Sequence, residues 1–99
     1  MAHRITITYT RPNADVAIFD GGAQRTAMEA VLQASQDAGK LQSITTETVD
    51  LVTTTVATYD SQASAQEVGA HADYVAFREA SDAYAAENGI NIVFNEETV

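Results

Sequence analysis

The segment "LQSITTETVDLVTTTVATYD", residues 41–60, decides the fold. It is dense in Thr and Val, whose side chains branch at Cβ, which suits extended backbone and costs rotamer freedom in a helix. The run is too long for one average strand, so it reads as two strands joined near Val49 to Leu51. The turn falls between residues 48 and 53, and no Asn-Gly or Asp-Gly pair pins its place.

N-terminal to this hairpin, Ile5, Ile7 and Tyr9 alternate with Thr6, Thr8 and Thr10, a period of two that predicts a strand over His3 to Thr10. Arg11-Pro12-Asn13 ends it, because proline lacks an N–H and biases its predecessor away from helix. A loop follows through the apolar run Val16 to Phe19, and Asp20-Gly21-Gly22 marks a turn. Thr26-Ala27-Met28-Glu29 fits a capping box, so a helix is expected from about Ala23 or Thr26 to Ala38. Its inward stripe is Ala27, Met28, Val31, Leu32 and Ala34 or Ser35, with Gly39 as its C-terminal stop and Lys40 against its negative end.

On the C-terminal side, Asp60 and Ser61 can cap a helix, and Ser64-Ala65-Gln66-Glu67 repeats the capping-box pattern. Gly69 weakens this short helix, and Asp73 starts a longer one through Glu87. Tyr74, Phe77, Ala80, Ser81 and Tyr84 share one face of it, and Arg78 stands at pairing distance in sequence from Asp82. Asn88-Gly89 stops the helix, and Ile90, Ile92 and Phe94 alternate with Asn91, Val93 and Asn95 in a last strand before an acidic tail, Glu96 to Val99.

The order strand, helix, strand, strand, helix, strand predicts one α+β domain over residues 1–99 with a ferredoxin-like βαββαβ layout. Right-handed crossovers place the two main helices, the second broken near Gly69, on one face of a four-stranded antiparallel sheet. Ile5, Ile7, Tyr9, Ile90, Ile92 and Phe94 are expected to face the helices. Thr6, Thr8, Thr10, Asn91, Val93 and Asn95, with part of the hairpin, line a semi-polar second face.

A chain of 99 residues, 45% hydrophobic and 19% charged, is expected to fold around one core. Five basic residues against fourteen acidic ones, with Lys40 the only lysine, give a net charge of −9 that repels phosphate backbones and anionic headgroups. Nucleic acid and membrane are therefore not expected as partners. The chain has no cysteine, so disulfides, thiolate metal sites and thiol nucleophiles are excluded. No apolar run approaches the roughly 20 residues of a membrane helix, and the regular alternation of "MAHRITITYT" does not fit a signal-peptide core. A cytoplasmic location, in a bacterium or a phage-infected host cell, is the expectation.

The pattern of Tyr59-Asp60-Ser61 closing the third strand, a short helix carrying His71, a longer helix with Phe77 and a final strand ending in Phe94 resembles the dimeric α/β-barrel, antibiotic-biosynthesis-monooxygenase-like branch of the ferredoxin-like fold. It covers residues 41–95 well and the first forty loosely. The resemblance implies two sheets packed face to face. In haem-degrading members of that group, a histidine on the helix after the third strand binds iron, a nearby tryptophan packs on the haem and a first-strand asparagine assists. His71 matches the region of the ligand and Tyr59 stands roughly where the tryptophan would be, but the chain contains no tryptophan and its first strand no asparagine. A small acidic chain rich in threonine and poor in lysine is also similar to many proteins of marine bacteria and their phages.

His71, Tyr59 and Tyr74 are the candidate catalytic residues, each with a folding role as the alternative. Glu67 and His71, four apart, offer two metal ligands that would need a third such as Asp73. "VAIFDGGAQRT", residues 16–26, could hold an anion at a helix start near Arg25, yet it lacks both phosphate-loop spacings. Asn13, Asp15 and Asp20 do not fit a calcium loop. Tyr9, Tyr59, Tyr74 and Tyr84 could line a cavity or sit at the edge of the core.

Since each conspicuous residue has a folding explanation, the first expectation is a structural or interaction module, phage-related, that self-associates as a homodimer through its sheet and uses no cofactor, with an unidentified protein partner or small ligand. The alternative is a monooxygenase-like enzyme with a pocket near Tyr59 and His71.

Overall fold

In the computed structural model, which describes residues 1–99, β1 (His3–Thr10) lies inside a four-stranded antiparallel sheet. β2 (Leu41–Val49) and β3 (Val52–Tyr59) form the hairpin, and β4 (Asn91–Thr98) is the last strand, giving the order β2-β3-β1-β4. α1 (Gly22–Asp37) carries the chain from β1 to β2 at one edge. α2 (Gln62–Ala70) and α3 (Ala72–Asn88) carry it from β3 to β4 at the other. This is the expected α+β, ferredoxin-like arrangement, and no helix is long and apolar enough to cross a membrane.

The hairpin turns at Asp50 and Leu51, within the expected interval. Asp50 takes φ 54°, a left-handed conformation that a short polar side chain tolerates better than a branched one. Arg11 braces the turn: its backbone N–H donates to Leu51 O at 3.0 Å and its guanidinium to Asp50 O at 3.1 Å.

The register sorts the side chains onto two faces. His3, Ile5, Ile7 and Tyr9 lie opposite Tyr59, Ala57, Thr55 and Thr53, all on the helix side. Gln42 sits in an irregularity between Leu41 and Ser43, after which Ile44, Thr46 and Thr48 also turn inward. The outer face runs in rows across the sheet, such as Asn95, Thr6, Val56, Thr45 and Val93, Thr8, Thr54, Glu47. The molecule is only 17 Å through its thinnest dimension, so the chain itself puts no third layer over those rows.

The buried core sits at one end. Leu41, at 2% exposure, packs with Ala57, Tyr59, Ala65 and Val68, and Ile5, Val31, Leu32 and Tyr74 close around them. At the other end Phe19 stacks against Phe77 and Tyr84, with ring centroids 5.6 and 5.2 Å away.

Three local expectations are corrected, at the α1 start, the acidic tail and Ile90. α1 begins at Gly22 instead of behind a Thr26 cap: Gly21, at φ 81°, is its N-cap, and Thr26 Oγ1 donates to Gly22 O inside the first turn. Ser61 caps α2 as expected, accepting the Ser64 N–H at 3.2 Å, while Ser64, the start of the second capping pattern, is buried inside the helix. The helix break expected near Gly69 is present, at His71, with Gly69 in the last turn of α2. The acidic tail is not a tail, because Glu96 and Glu97 pair within β4 against Ile5 and Arg4. Their carboxylates lie against His3 Nε2 and the Arg4 guanidinium, each at 3.2 Å. Ile90 likewise precedes β4 and does not belong to the sheet.

Candidate functional site

The floor of a cavity between the sheet and the helices is made by inward side chains of the hairpin. Thr46 and Thr55 share a hydroxyl hydrogen bond at 3.1 Å, as do Thr48 and Thr53 at 3.0 Å. These small side chains, with Ala57 beside them, leave space that leucine or phenylalanine would fill. The space between this floor and α1 and α3 is a cavity of about 570 Å³, within the range of pockets that hold drug-sized ligands.

Its walls contain all four tyrosines, Tyr9, Tyr59, Tyr74 and Tyr84, and three arginines, Arg11, Arg25 and Arg78. Tyr84 is fixed by donating its hydroxyl to Ala17 O at 2.8 Å. Arg25 donates to the carbonyls of Asp20 and Phe19 and lies over the Phe77 ring at 5.4 Å. These bonds tie the loop of residues 11–21 to the helix layer, so the glycine turn positions an arginine at the cavity mouth without itself facing an anion. Asn13 and Asp20 are spent on loop turns, accepting the N–H groups of Asp15 and Gly22, each at 3.0 Å.

Burial pushes the Tyr59 hydroxyl up to about 12, with the neighbouring Tyr74 adding to the effect. Tyr9 is raised for the same first reason, with Arg78 pulling the other way. Both are phenols at neutral pH, able to donate a hydrogen bond and unable to act as bases. Burial works against the charge of Arg78, but Tyr74, Tyr9 and Asp82 outweigh it and the guanidinium holds its proton more firmly than usual. Its expected pairing with Asp82 does not form a salt bridge; the guanidinium turns instead over Phe94, 5.4 Å from the ring centroid. The physical reason is the edge strand β4, whose Phe94 is incompletely covered and gives the arginine an aromatic face.

Tyr59 and Tyr74 come together in the cavity wall, whereas His71 does not join them. His71 is exposed at the α2–α3 junction and its Nδ1 accepts the Asp73 N–H at 3.2 Å. A haem held in this cavity through His71 does not fit that placement. Glu67 binds Lys40 Nζ at 3.0 and 3.1 Å, and no three His, Cys, Asp or Glu side chains meet in an arrangement that could hold a metal ion. The sequence reading passed over His3 and Arg78. Their signal was register: His3 is 4% exposed and bound to Glu96, and Arg78 lies one turn after Tyr74, next to Phe77.

No family model and no curated protein matches the sequence. Solved structures do match, and they carry the resemblance first seen in the residues. A mutant of SnoaB, a cofactor-independent oxygenase from Streptomyces nogalater, superposes with a TM-score of 0.65 at 8% identity, over 99% of this chain and 92% of that one. A protein described as an antibiotic biosynthesis monooxygenase from Deinococcus radiodurans gives 0.61 at 8% identity, over 97% and 91%. The designed protein Foldit4 gives 0.53 at 6% identity, over 100% and 99%. The likeness is therefore one of fold, the ferredoxin-like layout of antibiotic-biosynthesis-monooxygenase-like proteins, and a chain designed without ancestry shares it.

Proposed function

We propose that this chain is a monooxygenase-like enzyme that uses the helix–sheet cavity to hold an aromatic substrate for oxidation by dioxygen. The observation that carries the reading is the cavity itself: about 570 Å³, floored by threonines and walled by four tyrosines. A purely structural module gains nothing from leaving such a space unfilled, since unfilled volume forfeits packing and costs stability. The fold shared with an oxygenase supports the choice of chemistry, and the cavity supports the choice of place. Tyr9 and Tyr59, held as phenols, would orient substrate oxygens by donating hydrogen bonds, and the aromatic walls would exclude water.

The test is oxidation of an anthrone to its anthraquinone, followed by absorbance and oxygen uptake. A saturable rate, proportional to protein and reduced in Tyr59→Phe, is expected. No acceleration over buffer with anthrone or with a naphthohydroquinone would reject the oxygenase reading.

The same proposal includes a homodimer through the outer sheet face. Val49, Val52 and Val93 stand exposed there among threonines, at 59, 37 and 51%. The face is semi-polar for an obligate interface, which fits an exchanging dimer. Light scattering at micromolar concentration is expected to give twice the 10.6 kDa chain mass, and Val93→Lys to halve it. A wild-type monomer at that concentration would remove the dimer and leave the cavity reading intact.

A further inference from the structure

Only five residues of the chain are basic, and three of them, Arg11, Arg25 and Arg78, line the same cavity. Fourteen acidic residues are available to neutralise them, yet none of the three takes part in a salt bridge. Arg11 and Arg25 have structural work, binding the backbone carbonyls of Val16 and Asp50 and of Phe19 and Asp20. Carbonyl oxygens satisfy N–H groups without cancelling the charge.

The Nε of Arg78, like that of Arg11, is buried and has no hydrogen-bond partner. Arg78 is half-buried on α3 between two cavities: Ile5, Tyr59, Tyr74 and Arg78 line both the cavity described above and a second one of about 550 Å³ toward α2 and β4. Leaving a buried guanidinium nitrogen unpaired carries a desolvation cost, unless something else occupies the space beside it. The carboxylates around it, Asp82 and Glu79 on α3, Glu96 on β4 and Glu29 across the cavity, are all exposed, and Glu96 is engaged with His3 Nε2.

We infer that the ligand of this cavity is an aromatic anion, a carboxylate or an ionised phenol, whose charged end is held by Arg78 between Tyr9 and Tyr74. This rests on the cavity being the binding site, as proposed above. The guanidinium lies over the Phe94 ring and has an unpartnered Nε–H to offer an acidic group, and its planar, always-charged form suits carboxylate recognition. The net charge of −9 makes the assignment specific: the general field of the protein repels anions, so any preference for one must come from the local cluster of arginines.

The experiment compares 2-naphthoate with 2-naphthamide, which share shape and differ in charge, by calorimetry and by quenching of tyrosine fluorescence. Wild type is expected to bind the carboxylate about tenfold or more tightly, the ratio one charge-assisted pair supports. Arg78→Met is expected to lose that preference while keeping its affinity for the amide, and Arg78→Lys to restore part of it. Circular dichroism checks that each variant is folded. Equal binding of the two ligands by wild type would overturn the inference and leave the cavity as a site for neutral aromatics. A preference that survives in folded Arg78→Met would overturn the role of Arg78. Binding of neither ligand would reject the cavity as the site, and this inference with it.

Discussion

Nδ1 of His71 accepts the backbone N–H of Asp73 at 3.2 Å, and with that bond the imidazole closes the first turn of α3. The histidine that stands out in the sequence is a helix cap outside the cavity. His71→Ala is therefore expected to cost about 1 kcal/mol of stability, the usual effect of losing a cap. His71→Asn should recover most of it, because asparagine presents an acceptor at a similar reach. Urea unfolding measures both. A loss of cavity ligand binding in folded His71→Ala would contradict the assignment.

Gly21 is the second place where one residue holds two elements together. At φ 81° it sits where side chains are strained, and a Cβ built there would lie 2.7 Å from Cε2 of Phe77. Gly21→Ala is expected to lower stability by about 2 kcal/mol or more, from left-handed strain and displacement of the Phe77 ring together. Gly22→Ala meets no atom within 4 Å and should cost only the strain, about 1 kcal/mol. Equal unfolding midpoints for the two variants would rule out the Phe77 contact as the cause.

Tyr59 gives a pH dependence with a definite sign. Its folded value is pushed up to about 12 from 10.0, chiefly by burial. Between these values the unfolded chain releases the phenolic proton and the folded chain retains it, so stability must fall as pH rises. The contribution is complete below the unfolded value and lost as pH climbs through the folded one. Phenolate absorbance of the native protein, compared with Tyr59→Phe, should show the missing tyrosine titrating near 12. If the step lost in Tyr59→Phe lies near 10.0 instead, Tyr59 is open to water.

The hairpin of residues 41–60 and the alternation in β1 were legible in the chain because period-two patterning is a local property of strands. The inward stripe of α1 was equally readable: Met28 and Ser35 are buried where the spacing placed them. Helix starts were less so. Thr26 satisfied the capping pattern but Gly21, at positive φ, took that place, and of the two starts the residues offered for α2, Ser61 and Ser64, the fold uses Ser61. Glu96 and Glu97 looked like a solvated tail, since nothing local announces that His3 and Arg4, more than ninety residues earlier, will stand beside them.

The amino-acid order thus determined the kinds of elements and their sequence along the chain, through backbone preferences and side-chain spacing that act over a few residues. Which side chains would share a cavity was settled only by the antiparallel register and the two crossovers. They bring Tyr9, Tyr59, Tyr74 and Arg78 from β1, β3 and α3 to one wall, and leave His71 outside it. Burial and charge balance depend on such distant neighbours, and no spacing along the chain encodes them.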